Sequence, residues 1–449
     1  MYHFNGSKIL EKYKTILMDV DPVRPMGQVL DVSGMSIISE GPPDVSVGEI
    51  CKIQIERDKY LACEIAGFEK NRLILMPIGS TMGVHPNAPV FATGKRLSIS
   101  VGNDMLGRVL NGIGQPLDDK SPIISGERRY AEGDPPGATK RIPIRTPLET
   151  GIRAIDGLLT VGRGQRLGIF AGTGVGKSTM LGMIARYTRA DVNVICLVGE
   201  RGREVREFIE NDLGEEGLQR SVIVVSTNDR SAMEKVYAPG FAMSIAEYFR
   251  DQGLTVNLLM DSITRYCMAL REVGIAAGEQ LGPGGYPPGV WYRLSRLVER
   301  SGALMHGSIT GFFSILVEAD DMNDPVADAA RGLLDGHIVL ARRLAHKSHY
   351  PAIEVTESIS RVMDRVIERD HLDDALRIKT LLAAYRENED VINLGAYAKG
   401  SNPDVDEAIA KMPAINKFLR QRIEESTRLK DSVRELKAIA RRGEEEDYY

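Results

Sequence analysis

Eight residues combine a small, flexible backbone with an amine and a hydroxyl: Ala171-Gly172-Thr173-Gly174-Val175-Gly176-Lys177-Ser178. An apolar run containing Leu167, Ile169 and Phe170 precedes them, and Thr179-Met180-Leu181 continues as the first turn of a helix. Strand, glycine-rich loop and a helix opening on Gly-Lys-Ser form a phosphate-binding pattern. Glycines let successive backbone N–H groups turn inward around a polyphosphate, and the helix N-terminus adds the positive end of its dipole. In that cradle, from Gly172 to Thr179, Lys177 is expected to reach the terminal phosphates and the Ser178 hydroxyl to face Mg²⁺. The pattern ordinarily opens on glycine; Ala171 fits there provided its φ is negative.

Cleaving a nucleoside triphosphate also needs a second Mg²⁺ ligand, a group that orients or deprotonates water, and positive charge for the transition state. Asp261 closes the apolar run Leu258-Leu259-Met260 and is expected on the Mg²⁺ side; its structural alternative is to cap the following helix. Glu200 follows the β-branched run Val192–Val198, where a carboxylate faces the terminal phosphate through one water. Glu204 is its rival in the same segment, and spacing leaves the choice between them open. Arg201 and Arg203 place cationic charge alongside. Gly282-Pro-Gly-Gly-Tyr-Pro-Pro-Gly289 reads as a moving or pore-lining loop on the same side.

These residues need a scaffold of several parts. A chain of 449 residues is long enough for about three domains. Ser7–Met18 has the apolar spacing of a short amphipathic helix. From Pro22 to Thr93, short β-rich runs (Gly27–Val32, Met35–Ile38, Ile50–Ile55, Ala62–Phe68, Leu73–Met76) alternate with Gly, Pro and Asn breaks, which predicts a small β-barrel or sandwich. The glycine-rich run Leu106–Leu117 fits tight turns. Beyond the phosphate loop, helices are predicted at Thr179–Thr188, Glu204–Asn211 and Ala242–Asp251. Buried strands are predicted between them at Val192–Val198, Val222–Ser226, Leu254–Met260 and Ser308–Val317. That alternation describes a parallel sheet covered on both faces, with ligands beyond the carboxyl ends of its strands; Glu200, Asp261 and Glu318 fall there. Asp370–Glu387 and Ala408–Ala440 are charged, Leu/Ile-periodic and helical, before an acidic tail, Glu444–Asp447.

Composition excludes several functions. A net charge of -5 gives no nucleic-acid footprint. The four cysteines, Cys51, Cys63, Cys196 and Cys267, have no CxxC pairing and read as core thiols, not zinc ligands or disulfides. The N-terminal residues lack a secretory leader pattern, and no apolar run approaches the roughly 18 residues needed to cross a bilayer. A cytoplasmic protein is expected, with any membrane role peripheral.

Together the motifs resemble the type III export ATPases, relatives of the catalytic subunit of F-type rotary ATPases. The resemblance spans roughly residues 20–440. It rests on Arg153-Ala-Ile-Asp-Gly-Leu-Leu-Thr160, the phosphate loop, Gly199-Glu-Arg-Gly-Arg-Glu204, Met260-Asp-Ser-Ile-Thr-Arg-Tyr266, Gly285-Tyr-Pro-Pro288, Leu334-Asp-Gly-His-Ile-Val339, His349-Tyr-Pro-Ala352 and Ser358-Ile-Ser-Arg-Val-Met363. It implies an α/β fold: a RecA-like P-loop core with an N-terminal small β-barrel and a C-terminal α-helical domain. The expected division is an N-terminal amphipathic segment over 1–21, barrel over 22–93, ATPase domain over 94–365 and helical domain over 366–449. It further implies hydrolysis of ATP with Mg²⁺ by a homohexameric ring around a pore. By resemblance, Glu200 is the catalytic carboxylate in preference to Glu204, and Arg265 lies near the phosphates. Arg361 is the finger given to a neighbouring subunit's nucleotide, and Tyr350 stacks on adenine.

The same resemblance implies partners: a negative regulator on the N-terminal segment, chaperone–cargo complexes on the helical domain, and an export gate at the inner membrane, whose cytoplasmic face the ring would join. The phosphate-loop run and Ser-Ile-Ser-Arg-Val-Met look more like the flagellar branch than the virulence (injectisome) branch. Asp261-Ser-Ile-Thr-Arg-Tyr266 and the glycine loop stand against a proton-coupled rotary subunit. An RNA-translocating helicase would need aromatic-studded basic strands near the N-terminus, where residues 22–93 offer only Tyr60, Phe68 and Phe91. The set Lys177, Glu200, Asp261 and Arg361 argues against a non-enzymatic regulatory subunit.

Overall fold

Alternating inward residues build the first part of the chain. In the strand Lys59–Glu69, Leu61, Cys63 and Ile65 point to the interior while their neighbours face outward, the period-two pattern of a half-buried strand. Six such strands, Met26–Ser33, Ser36–Glu40, Ile50–Glu56, Lys59–Glu69, Arg72–Pro77 and Pro89–Ala92, close into a barrel. Val29, Ile37, Ile53, Leu75 and Val90 fill it. Closure leaves no sheet edge exposed. The structure, a computed structural model, describes residues 25–123, 126–317 and 324–441. The expected N-terminal helix, Glu318 and the acidic tail lie outside the described residues. The chain divides into two compact units, one running to Leu97 together with Ala276–Gly278, the other comprising Ser98–Ile275 and the chain from Glu279 onward.

The second unit is built on a sheet whose strands are buried along their whole length, as in Val192–Val198 and Ser221–Ser226. Its order is Ile359–Ser360, Gly336–Leu340, Arg166–Ala171, Gly307–Leu316, Thr255–Asp261, Val192–Val198, Ser221–Ser226, Arg108–Asn111. All neighbours are parallel except Ile359–Ser360, which runs antiparallel to Gly336–Leu340; the short Gly302–Leu304 adds an antiparallel pair to Gly307–Leu316. Parallel strands without polar faces require helices on both sides. The run Leu106–Leu117, expected as turns, supplies the edge strand Arg108–Asn111. The four free cysteines are buried.

Two helical expectations need correction. The helix expected at Ala242–Asp251 begins at Ala232 and runs through Pro239. Ser231 caps it by accepting from the Glu234 N–H, and Gly240 lets it lie against the backbone of Ala131. The continuous helix expected over Ala408–Ala440 is instead two, Pro403–Leu419 and Leu429–Ala440, separated by a non-helical stretch from Arg420 to Arg428. With Arg369–Glu387 these helices share one apolar core with the sheet, in which Ala375, Ile378, Ile415, Phe418 and Leu436 join Ile155, Leu158 and Ile184. Phe418 alone contributes about 1.5–3 kcal/mol on burial. The interrupted stretch is thereby held beside the phosphate loop.

Candidate active site

The phosphate loop leaves the sheet at Ala171, which is the last residue of its strand and lies outside the left-handed region of backbone space. A side chain is therefore tolerated there. Gly174 and Gly176, with φ of 79° and 92°, do occupy that region, where a Cβ is penalised. The helix Lys177–Tyr187 starts immediately after. Thr173, Gly174 and Ser178 are exposed and Thr179 is half-buried. Gly172 is buried, and Val175 anchors the loop in the core.

The carboxyl ends of neighbouring strands bring two carboxylates to the lysine of this loop. Lys177 Nζ donates to Asp261 Oδ1 at 2.5 Å and to Glu200 Oε1 at 3.4 Å. Asp261 is the last residue of its strand and also accepts from Ser314 Oγ at 2.5 Å. Ser314 was not anticipated. It lies on the strand between those of Asp261 and the loop, and its only trace in the sequence is a hydroxyl within the apolar run Gly311-Phe-Phe-Ser-Ile-Leu316. Burial works against the charge of Lys177, but Asp261 and Glu200 outweigh it and hold its pKa above the ordinary value. The amine is thus a permanent ammonium.

Burial pushes the Glu200 carboxyl up to about 7; the Asp261 and Glu204 carboxylates add to the shift and Lys177 opposes it. Glu204 lies on the helix Gly202–Glu207 with its side chain 45 % exposed. Its pKa is lowered, first by its hydrogen bond with Glu200. Neutral Glu200 is then the donor and Glu204 the acceptor. As a base, Glu200 must lose this proton, so we predict that kcat/KM for ATP rises with pH through about 7, since that ratio reports groups of the free enzyme. Glu204→Gln removes a carboxylate that raises Glu200 and should move the midpoint to lower pH; an unmoved midpoint would break the link.

Arg265 is exposed on the first turn of the helix Ile263–Ala276, and its stem passes so close to Gly199 that a Cβ there would meet it at 2.8 Å. Tyr350 is 46 % exposed, and a methyl group at Gly176 would touch its ring at 3.5 Å. The ring overlooks a cleft of about 1060 Å³ bounded by Gly174, Gly176 and Thr179 on one side and residues 420–425 on the other. Arg361 is not part of this assembly. It follows the edge strand, donates through its guanidinium to Arg331 O at 3.3 Å, and its N–H bonds Asp335 O. Asp335 pairs with Arg166 at the amino end of the loop strand, so Arg361 sits roughly 16 Å along that strand from Ala171, at about 3.3 Å per residue.

The donors suit Mg²⁺. Ser178 offers an alcohol and Asp261 a carboxylate, hard oxygens of the kind Mg²⁺ prefers. No cluster of three or more His, Cys, Asp or Glu able to hold a metal occurs among the described residues. A Mg²⁺ ion here would share its coordination with phosphate oxygens, the usual arrangement at a nucleotide.

Comparison with known proteins fits this arrangement. The chain matches the ATP synthase alpha/beta family models for the nucleotide-binding domain over residues 151–360 and for the beta-barrel domain over 29–94. Residues 367–438 match the T3SS EscN ATPase C-terminal domain. The flagellum-specific ATP synthase of Bacillus subtilis is 48% identical over 434 residues, 95% of this chain and 97% of that protein. The type 3 secretion system ATPase of Xanthomonas euvesicatoria is 45% identical over 418 residues, 93% and 94% of the two chains. The structure of assembled EscN, an ATPase from the enteropathogenic E. coli type III secretion system, superposes with a TM-score of 0.88 at 40% identity, covering 92% of this chain and all of that one. Fold and site together define an ATP-hydrolysing P-loop enzyme on the plan of the ATP synthase alpha/beta family. Within that class, the chain belongs to the type III export ATPases.

Proposed function

We propose that this protein hydrolyses ATP as a homohexameric ring and thereby energises export of unfolded subunits through a flagellar-type type III apparatus. The observation that carries the reading is the split machinery: Lys177, Glu200 and Asp261 meet at the loop, while Arg361 lies at the amino-end edge of the same sheet, where the strands begin. In the proposed mechanism the backbone from Gly172 to Gly176 wraps the phosphates and Lys177 moves from Asp261 and Glu200 onto their terminal oxygens. Ser178 and Asp261 would hold Mg²⁺, which when bound would supply charge neutralisation at the phosphate oxygens. Glu200, freed of its proton, orients and deprotonates the attacking water. Arg265 lies beside the phosphates, Tyr350 stacks on the base, and the neighbour's Arg361 completes the transition-state charge.

The domain division 22–93, 94–365 and 366–449 belongs to this proposal. So do a regulator on residues 1–21, chaperone–cargo complexes on the helical domain, an export gate at the inner membrane, and the absence of a nucleic-acid partner. A cytoplasmic protein at the inner face of that membrane accords with the described residues, in which no helix is long and apolar enough to cross a bilayer. Injectisome secretion is the second reading, favoured by the likeness to EscN. Restoring motility in a strain lacking its flagellar export ATPase supports the first; restoring only effector secretion in an injectisome mutant supports the second. For the ATP site, Lys177→Ala should weaken nucleotide binding by about 1.5–3 kcal/mol, roughly ten- to hundredfold in Kd, because a charge-assisted contact is lost. Unchanged affinity by calorimetry would refute the loop assignment.

A further inference from the structure

The stretch Arg420–Arg428 interrupts what the sequence pattern presents as one helix, and Gln421 is its anchor. Gln421 is 5 % exposed and uses both amide N–H donors and one acceptor position of its carbonyl on backbone groups. Nε2 donates to Gly151 O and to Glu425 O, both at 2.8 Å. Oε1 accepts at 2.9 Å from the Arg153 N–H, one of the N–H groups that a helix start leaves unpaired. The Gln421 backbone N–H in turn donates to Tyr350 O at 2.9 Å. Arg153 reinforces the seam through Phe418 O and Arg420 O at 2.9 and 2.5 Å. Gly151 is itself irreplaceable at this junction: its φ is +77°, and a Cβ would lie 2.6 Å from Tyr187. The side-chain amide thus ties the turn before the helix Arg153–Leu158 to the far wall of the cleft, and the backbone N–H of the same residue ties that wall to the backbone under the Tyr350 ring.

We infer that Gln421 is a positioning residue for the nucleotide base: it sets the gap between Tyr350 and the 420–425 wall without touching a phosphate. The inference rests on the assignment of Tyr350 to the base. A residue here must both donate twice and accept once. Glutamate matches the shape but turns a carboxylate oxygen toward the Gly151 and Glu425 carbonyls, and leucine leaves the Arg153 N–H and Glu425 O without their partner, a destabilising change in a buried site. Either substitution releases the wall, so that a smaller fraction of molecules presents a closed base site, and apparent affinity falls by that fraction.

The test uses the full-length protein with Gln421→Glu and Gln421→Leu, each measured for ATP turnover and for binding of ATP and of inorganic tripolyphosphate, which engages only the phosphate loop. KM and Kd for ATP should rise about tenfold, the scale of one buried hydrogen bond, with kcat at saturation within about twofold and tripolyphosphate affinity unchanged. In a Tyr350→Ala background, Gln421→Leu should have no further effect on ATP, because residues acting through one contact are non-additive. Equal weakening of ATP and tripolyphosphate, full additivity with Tyr350→Ala, or unchanged ATP affinity in both variants would each overturn the assignment. The isosteric glutamate variant decides the matter should the leucine variant fail to fold. If Tyr350→Ala itself leaves ATP affinity intact, the base assignment fails; if it weakens ATP binding and the Gln421 variants do not, only the positioning role fails.

Discussion

Arg361→Ala is expected to bind ATP with near-normal affinity, to assemble, and to lose hydrolysis by roughly 10³–10⁵, the span over which a transition-state arginine acts in related phosphoryl transfers. The physical reason is distance. Arg361 hangs from the edge strand beside Asp335, level with the amino end of the loop strand, whereas the phosphate loop leaves its carboxyl end. Among the described residues its exposed guanidinium makes one hydrogen bond, to a backbone carbonyl. That is a weak hold on a strongly cationic group, and it leaves the group available to an adjoining surface. The decisive experiment mixes two dead subunits. An Arg361→Ala subunit keeps its own loop, a Lys177→Ala subunit keeps its arginine, and mixed rings contain interfaces where one supplies what the other lacks. Partial recovery of hydrolysis in the mixture, with none in either variant alone, is the expected result. Parental activity of Arg361→Ala, or no recovery on mixing, would remove the intersubunit role.

The parts of this molecule legible in its sequence are those governed by short-range pattern. Alternating apolar residues marked five barrel strands, and the uninterrupted β-branched runs marked the parallel sheet, because burial on one face or two leaves a periodic signature. The acids at strand ends stood out against apolar neighbours for the same reason. What escaped depended on contacts distant in the chain. Pro89–Ala92 closes the barrel although it opens on proline and is four residues long. Pro239 sits inside a helix that local rules would end, and that helix is stabilised by its buried packing on the sheet. The break at residues 420–428 looked helical because its flanks carry the right period; it is held open by Arg153 and Gly151, some 270 residues earlier. Ser314 is a single hydroxyl in an apolar strand, and nothing in its local sequence points to Asp261 as its partner.

Glu200→Gln carries the second large expectation: a loss of hydrolysis of about 10²–10⁴, the range for removing a general base, with ATP binding retained. The amide preserves the shape of the side chain but has no basic oxygen for the water. Lys177 still has Asp261, at 2.5 Å, to hold it in place, so the phosphate contacts survive and the defect falls on the chemical step. The rival is Glu204, and geometry separates the two. Glu200 lies within 3.4 Å of the loop lysine. Glu204, half exposed on a helical turn, shares a hydrogen bond with Glu200 and pairs at 3.4 Å with the exposed Arg201. A carboxylate already held low by its neighbours is a weak base, whereas one raised to about 7 is poised to take a proton near neutral pH. Single-turnover hydrolysis measured beside equilibrium ATP binding separates the chemical step from affinity. Glu204→Gln should then keep turnover within a few-fold while shifting its pH midpoint downward. If instead Glu204→Gln abolishes turnover and Glu200→Gln hydrolyses ATP normally, the base is Glu204, and the hydrogen bond between the two acids serves to orient it.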